Sequence, residues 1–167
     1  MKNIILIGMP GCGKTTVGKL LAKKLNREFI DTDLVFRQTV HPNISEYFSQ
    51  YGEDNFRREE TRILAQLLQN SNCIIATGGG IVERAENKKL LRDIGIVVFI
   101  DRPTGNIMND IQTSTRPLLS QGKERLLSLY KKRYEKYLDF SHIQIKNIGT
   151  LEDVTDKIIN EVNINHV

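Results

Sequence analysis

Gly8-Met9-Pro10-Gly11-Cys12-Gly13-Lys14-Thr15 is a glycine-rich turn between two contrasting stretches. Ahead of it runs Ile4-Ile5-Leu6-Ile7, which reads as a central strand over about 3–8. Behind it, Val17, Leu20, Leu21 and Leu25 recur at helical spacing and predict a helix over 14–25. Strand, loop with G-x-x-x-x-G-K-T, then helix is the context of a phosphate-binding loop. Glycines without Cβ atoms let such a loop curl and aim its N–H groups inward. The helix adds the positive end of its dipole at the same place. Gly11, Cys12, Gly13, Lys14, Thr15 and Thr16 are therefore the candidate nucleotide-binding residues. Lys14 supplies a full charge for the β- and γ-phosphates, and the Thr15 hydroxyl is suited to Mg²⁺.

Outward from this loop the chain alternates. A short strand at 28–30 ends in Asp31-Thr32-Asp33. Carboxylates at the C-terminal end of a parallel strand point to the crevice where α/β sheets bind ligands. If the chain stays extended there, Asp31 and Asp33 face the same way. One could then serve Mg²⁺ and the other a hydroxyl awaiting phosphorylation. The alternative is a turn with Asp33 as N-cap of the next helix.

Helices are expected at 34–39 and 45–51, the latter ended by Gly52. A long helix follows over 53–69, with Ile63, Leu64, Leu67 and Leu68 as its buried stripe. Arg57 and Glu60, three apart, share one of its faces. A strand over 72–77 ends in Gly78-Gly79-Gly80, a run that is costly to order unless backbone must approach a ligand closely. A helix at 83–93 leads to a strand at 96–100, stopped by Asp101-Arg102-Pro103. Residues 104–110 read as helix. The polar stretch 105–115 ends at Arg116, as a lid would whose arginine reaches phosphates on closure. A helix at 123–137, a strand at 142–145 and a helix at 151–162 complete the pattern. Thr150 and Asp153 read as a capping box for the last helix. Five strands alternating with helices imply an α/β fold, a three-layer α/β/α sandwich on a five-stranded, mainly parallel sheet.

Composition narrows the classes. The 167 residues suit one domain, with 40% hydrophobic and 26% charged residues. No apolar stretch approaches the ~20 residues of a membrane span, and no signal-peptide pattern opens the chain. Two cysteines, one inside the phosphate loop, point to a reduced, cytoplasmic setting. Three scattered histidines give no zinc pattern. A net charge of +4 without blocks of like charge or aromatic-basic motifs favours anionic small molecules over nucleic acid.

The pieces in order resemble the shikimate kinase family over nearly the whole chain, a fold of P-loop kinase type. They are GMPGCGKTT at 8–16, D-T-D at 31–33, G-E-x-x-F-R-x-x-E at 52–60, G-G-G at 78–80, R-P-L-L at 116–119 and R-x-x-x-Y at 133–137. The resemblance implies a single kinase domain, with a substrate-binding insertion at about 33–60 and a lid at about 105–119. It implies transfer of the γ-phosphoryl group of ATP to the 3-hydroxyl of shikimate, in aromatic amino-acid biosynthesis. Lys14, Asp33 and Arg116 would be catalytic, Asp33 receiving the hydroxyl proton. Arg57 and Arg133 would clamp the substrate carboxylate, with Gly79 and Gly80 completing the pocket. Thr15 and Asp31 would serve Mg²⁺, and the family expectation is a monomer. Two departures stand out. Glu135-Lys136 replaces the family's frequent Pro-Leu, which leaves Lys132 and Lys136 as alternatives facing the pocket. Residues 105–115 hold no arginine or lysine, where the family commonly packs one on the adenine. A gluconate kinase-like enzyme, a GTPase-like switch and a silent homologue are the competing readings. The switch lacks its N/T-K-x-D guanine reader; the nearest segment is Asn87-Lys88-Lys89-Leu90.

Overall fold

The structure is a computed structural model that describes residues 2–113 and 122–165, with side chains for 2–110 and 122–164. The apolar run forms β1 (Asn3–Ile7), buried at every position. β1 is the middle of a sheet ordered β2-β3-β1-β4-β5 among the described residues. Its neighbours are β2 (Glu28–Asp31), β3 (Cys73–Ala76), β4 (Gly95–Asp101) and β5 (Ile143–Lys146). Every pairing is parallel. Asn3, buried at the start of β1, is fully used. Its amide donates to the Asn70 and Ile94 carbonyls, and its oxygen accepts from Cys73 N–H. One side chain thus satisfies backbone from two neighbouring segments that would otherwise be buried unpaired.

The helices are α1 (Lys14–Leu25), α2 (Thr32–Thr39), α3 (Ile44–Gln66), α4 (Glu86–Ile94), α5 (Thr104–Thr113), α6 (Gly122–Phe140) and α7 (Leu151–Asn165). α1 packs beside α7, α3 beside α4, and α4 and α6 both pack on β4, giving the expected layers around the sheet. Gly52, at φ 81° and ψ 168°, breaks α3 where the sequence places the end of its first segment. The capping box of α7 forms as read: Thr150 and Asp153 exchange hydrogen bonds of 2.7–3.1 Å.

Three local expectations change. α2 begins at Thr32, not 34, because Asp31 caps it, accepting from the N–H groups of Asp33 and Leu34. Leu68 is 42% exposed, because the chain tightens into a 3₁₀ turn over Leu67–Gln69 that rotates it off the buried stripe. The helix expected over 83–93 is a 3₁₀ turn (Ile81–Glu83) followed by α4.

The core has two parts. The main cluster unites the sheet with Val17, Leu21, Leu91, Tyr137, Val154 and other helix residues. A second, smaller cluster of Phe36, Phe56 and Ile63, with Val35, Val40, Ile44 and Tyr47 against it, joins α2 to α3.

Candidate active site

The parallel sheet puts the C-terminal ends of β1, β2, β3 and β4 along one edge, and each delivers part of a common cleft. A cavity of about 500 Å³ there is lined by the loop after β1, by Lys14, Thr15 and Thr16, by Asp31 and Asp33, by Thr77-Gly78-Gly79, and by Arg102 and Asp110. The loop takes its shape from its glycines. Gly13, the N-cap of α1, sits at φ 102°, where L side chains are strained. Cys12 is buried, and its carbonyl accepts from the Asn147 amide at 2.8 Å. Lys14 folds back along the loop: Nζ donates to the Gly8 and Met9 carbonyls at 2.8 and 2.9 Å. Its ammonium is thereby held at the cavity by two backbone carbonyls and, at 3.6 Å, the Cys12 sulfur.

Asp31 and Asp33 both line the cavity, but not through strand alternation. Asp31 is the last residue of β2 and Asp33 lies in the first turn of α2. Asp31 Oδ1 caps the helix, while Oδ2 accepts from the Thr15 hydroxyl at 3.0 Å. Burial, aided by the neighbouring Asp31 charge, pushes the Asp33 carboxyl above its ordinary range, against the pull of Lys14, Arg37 and Arg57. A carboxylate so placed is a stronger proton acceptor than one in water.

Arg57 and Arg133 do not line the 500 Å³ cavity. They gather around the glycine turn beside it. A Cβ on Gly80 would overlap the Arg57 guanidinium, and one on Gly79 would meet Pro10 Cδ at 2.7 Å. Gly79 is thus demanded by the close approach of the rigid Pro10 ring, whereas at Gly80 only the movable end of Arg57 stands in the way. Arg57 Nη1 donates to Glu60 at 2.6 Å, and its other nitrogens to Glu53 at 3.3–3.4 Å. The i, i+3 pairing read from the sequence is therefore real, and it is not superficial, since Glu60 is buried. Burial works against the Arg57 charge, but Glu60 and Glu53 outweigh it and hold the guanidinium protonated above its usual range. For Glu60 burial wins, and the nearby Asp33 adds to it, so its carboxyl rises despite Arg57.

Arg133, also buried, gives Nε–H to Glu83 at 2.6 Å. Lys136 and Lys132 reach the other Glu83 oxygen at 3.0 and 3.3 Å. Burial opposes ionisation of Glu83, yet the hydrogen bonds from Arg133 and Lys136 draw it down to about 2. One helical turn on, the Tyr137 hydroxyl donates to the Gly79 carbonyl at 2.5 Å. Arg116 and the rest of the expected lid from 114 to 119 lie outside the described residues.

Sequence reasoning missed two residues here. In the sequence Glu83 marks only the start of an expected helix, because its partners are some fifty positions away. Arg102 was read as a strand stop, yet it lines the cavity. Its Nη1 donates to the Gly11 carbonyl at 3.2 Å and pairs with Asp110 at 2.6 Å. Its place just after a parallel strand was the available signal.

Chemically, the cleft joins a cationic phosphate cradle to a half-buried carboxylate of raised proton affinity, Asp33, with Arg57 and Arg133 nearby. That is suited to phosphoryl transfer onto a hydroxyl of an anionic acceptor. Known proteins agree. The family model described as shikimate kinase matches residues 10–163. Two shikimate kinases of Clostridium botulinum, from the Alaska E43 and Eklund 17B strains, are each 46% identical over 159 residues, 95% of this chain and 96% of theirs. A solved shikimate kinase from Acinetobacter baumannii, in complex with shikimate, superposes with a TM-score of 0.91 at 34% identity, over 100% of this chain and 96% of that one. With a family match over almost its full length and relatives of this similarity, the chain belongs to the shikimate kinase family.

Proposed function

We propose that the cleft transfers the γ-phosphoryl group of ATP to the 3-hydroxyl of shikimate through the following residues. The N–H groups of Gly11, Cys12, Gly13, Lys14, Thr15 and Thr16 and the α1 dipole hold the nucleotide phosphates. The Lys14 ammonium leaves its two carbonyls to follow charge on the transferring group. Asp33 binds the acceptor hydroxyls and takes the proton as the oxygen attacks. Arg57 and Arg133 grip the acceptor carboxylate with their donor forks, beside Gly79 and Gly80. Arg116, in the lid, adds positive charge to the phosphates on closure, which also excludes water.

The donor set fits Mg²⁺. Thr15 Oγ1 and Asp31 Oδ2 are 3.0 Å apart, with Asp31 Oδ1 already committed to capping. Mg²⁺ commonly takes only one or two protein oxygens beside phosphates and water. Bound there with ATP, it would neutralise phosphate charge. Residues 33–60 form the acceptor-binding insertion, which their separate apolar cluster supports. Among the described residues no helix is long and apolar enough to cross a membrane. The enzyme works as a cytoplasmic monomer on dissolved substrates, without nucleic acid.

The observation that carries this reading is the Asp33 carboxylate sharing one cavity with Lys14 and the phosphate loop, with the Arg57 guanidinium packed on Gly80 of the glycine turn beside it. ADP release with ATP and Mg²⁺ tests it, comparing shikimate, gluconate and no acceptor. Release that requires shikimate is expected. Release with gluconate alone would overturn the acceptor assignment, and no stimulated release would overturn the kinase reading.

A further inference from the structure

The Glu83 cluster poses a physical problem. Resting on the reading above, Arg133 grips the carboxylate of an anionic acceptor, yet a carboxylate of the protein already sits on it at 2.6 Å. A resident anion should cancel the charge and compete with the substrate. Two features remove the conflict. Glu83 takes Nε–H, while the two terminal nitrogens form the fork that reads a carboxylate bidentately. In addition, Lys136 and Lys132 converge on the second oxygen of Glu83. Three cations around one carboxylate leave the cluster with two net positive charges.

We infer that Glu83 is a positioning residue for substrate binding: it fixes the Arg133 guanidinium through Nε, and Lys136 offsets its charge so that the acceptor pocket stays cationic. It does not touch the reacting atoms. It trades one resident anion for orientation of a long, entropically expensive side chain. A purely structural ion pair, fastening α6 to the Ile81–Glu83 turn, would use the same contacts but would not act selectively on acceptor affinity.

The test measures kcat, KM for shikimate, KM for ATP and thermal stability in Glu83→Ala, Glu83→Gln, Lys136→Ala and the double variant Glu83→Ala/Lys136→Ala. Glu83→Ala should raise KM for shikimate roughly tenfold and leave KM for ATP unchanged. Glu83→Gln, whose amide oxygen still accepts Nε–H, should recover most of that loss. Lys136→Ala should raise KM for shikimate by letting Glu83 cancel Arg133, and the double variant should be no worse than Glu83→Ala alone. An unchanged KM for shikimate in Glu83→Ala, an equal rise in both KM values, or a Glu83→Gln no better than Glu83→Ala would overturn the inference. If Glu83→Ala does not fold, Lys136→Ala with wild-type KM for shikimate overturns it, and a selective rise supports it. Wild-type protein without shikimate-dependent ADP release would overturn the functional reading and this inference together. Wild-type turnover with unaffected variants would overturn the inference alone.

Discussion

Replacing Gly80 with alanine separates function from folding more cleanly than removing any charged residue. Gly80 has φ −91° and ψ 8°, a backbone any L residue tolerates, so the substitution adds no backbone strain. Its whole effect is the added methyl, which would overlap Nη1, Cζ and Nη2 of Arg57. To regain ordinary contact the guanidinium must retreat by roughly 1.5 Å. The obstacle is the far end of a flexible side chain, so the fold yields rather than breaks. Overpacking of this kind costs about 1–3 kcal/mol, and for a chain of this size each kcal/mol lowers Tm by about 2–4 °C. The functional loss should be larger, since a gripping group misplaced by about 1 Å can cost up to 100-fold. The retreat also stretches the 2.6 Å bond to buried Glu60. In steady-state assays of ADP release, Gly80→Ala should raise KM for shikimate by about 10- to 100-fold, with KM for ATP unchanged. Thermal melting on the same protein sets the stability cost. A variant with wild-type KM for shikimate would refute the placement of Arg57 against this turn. So would a rise shared equally by ATP.

Lys14→Met should lower turnover by about 1,000-fold or more while leaving the circular dichroism spectrum unchanged; full activity would remove the phosphate-loop assignment. Asp33→Asn should abolish turnover yet stabilise the protein at neutral pH. The sign follows from its raised carboxyl: the folded state holds that proton more tightly than the unfolded chain, so stability falls as pH rises through the elevated value, and a neutral amide escapes the loss. Melting curves across pH 4 to 8 would show the stabilisation growing with pH, and a variant less stable at neutral pH would contradict it.

What the sequence disclosed and what it hid divide along physical lines. Local signals were legible: the apolar run of β1, the glycines of the loop, the Gly52 break in α3, the Thr150–Asp153 cap and the Arg57–Glu60 spacing all act within a few residues. Asp31 and Asp33 do line one cavity, but not through strand alternation, because capping by Asp31 starts the helix one residue beyond the strand's end. Leu68 was misassigned because a 3₁₀ turn changes the period within one residue of the helix end. Glu83 and Arg102 stayed hidden because their meaning lies in partners brought close only by the sheet: Glu83 meets Arg133 from α6, and Arg102 meets Gly11 from the loop after β1.

The division of the apolar interior into two clusters has a consequence for motion. Phe36, Phe56 and Ile63 bury themselves against one another, apart from the larger cluster built on the sheet. A small cluster of three buried side chains, flanked by four half-buried ones, is expected to open as a local unit at lower cost than the main core. Amides of α2 and the start of α3 should therefore exchange with solvent deuterium through openings that leave β1, β3 and β4 protected. The flank of the cleft built by α2 and α3, proposed above to meet the acceptor, should thus loosen and re-form while the phosphate cradle remains rigid.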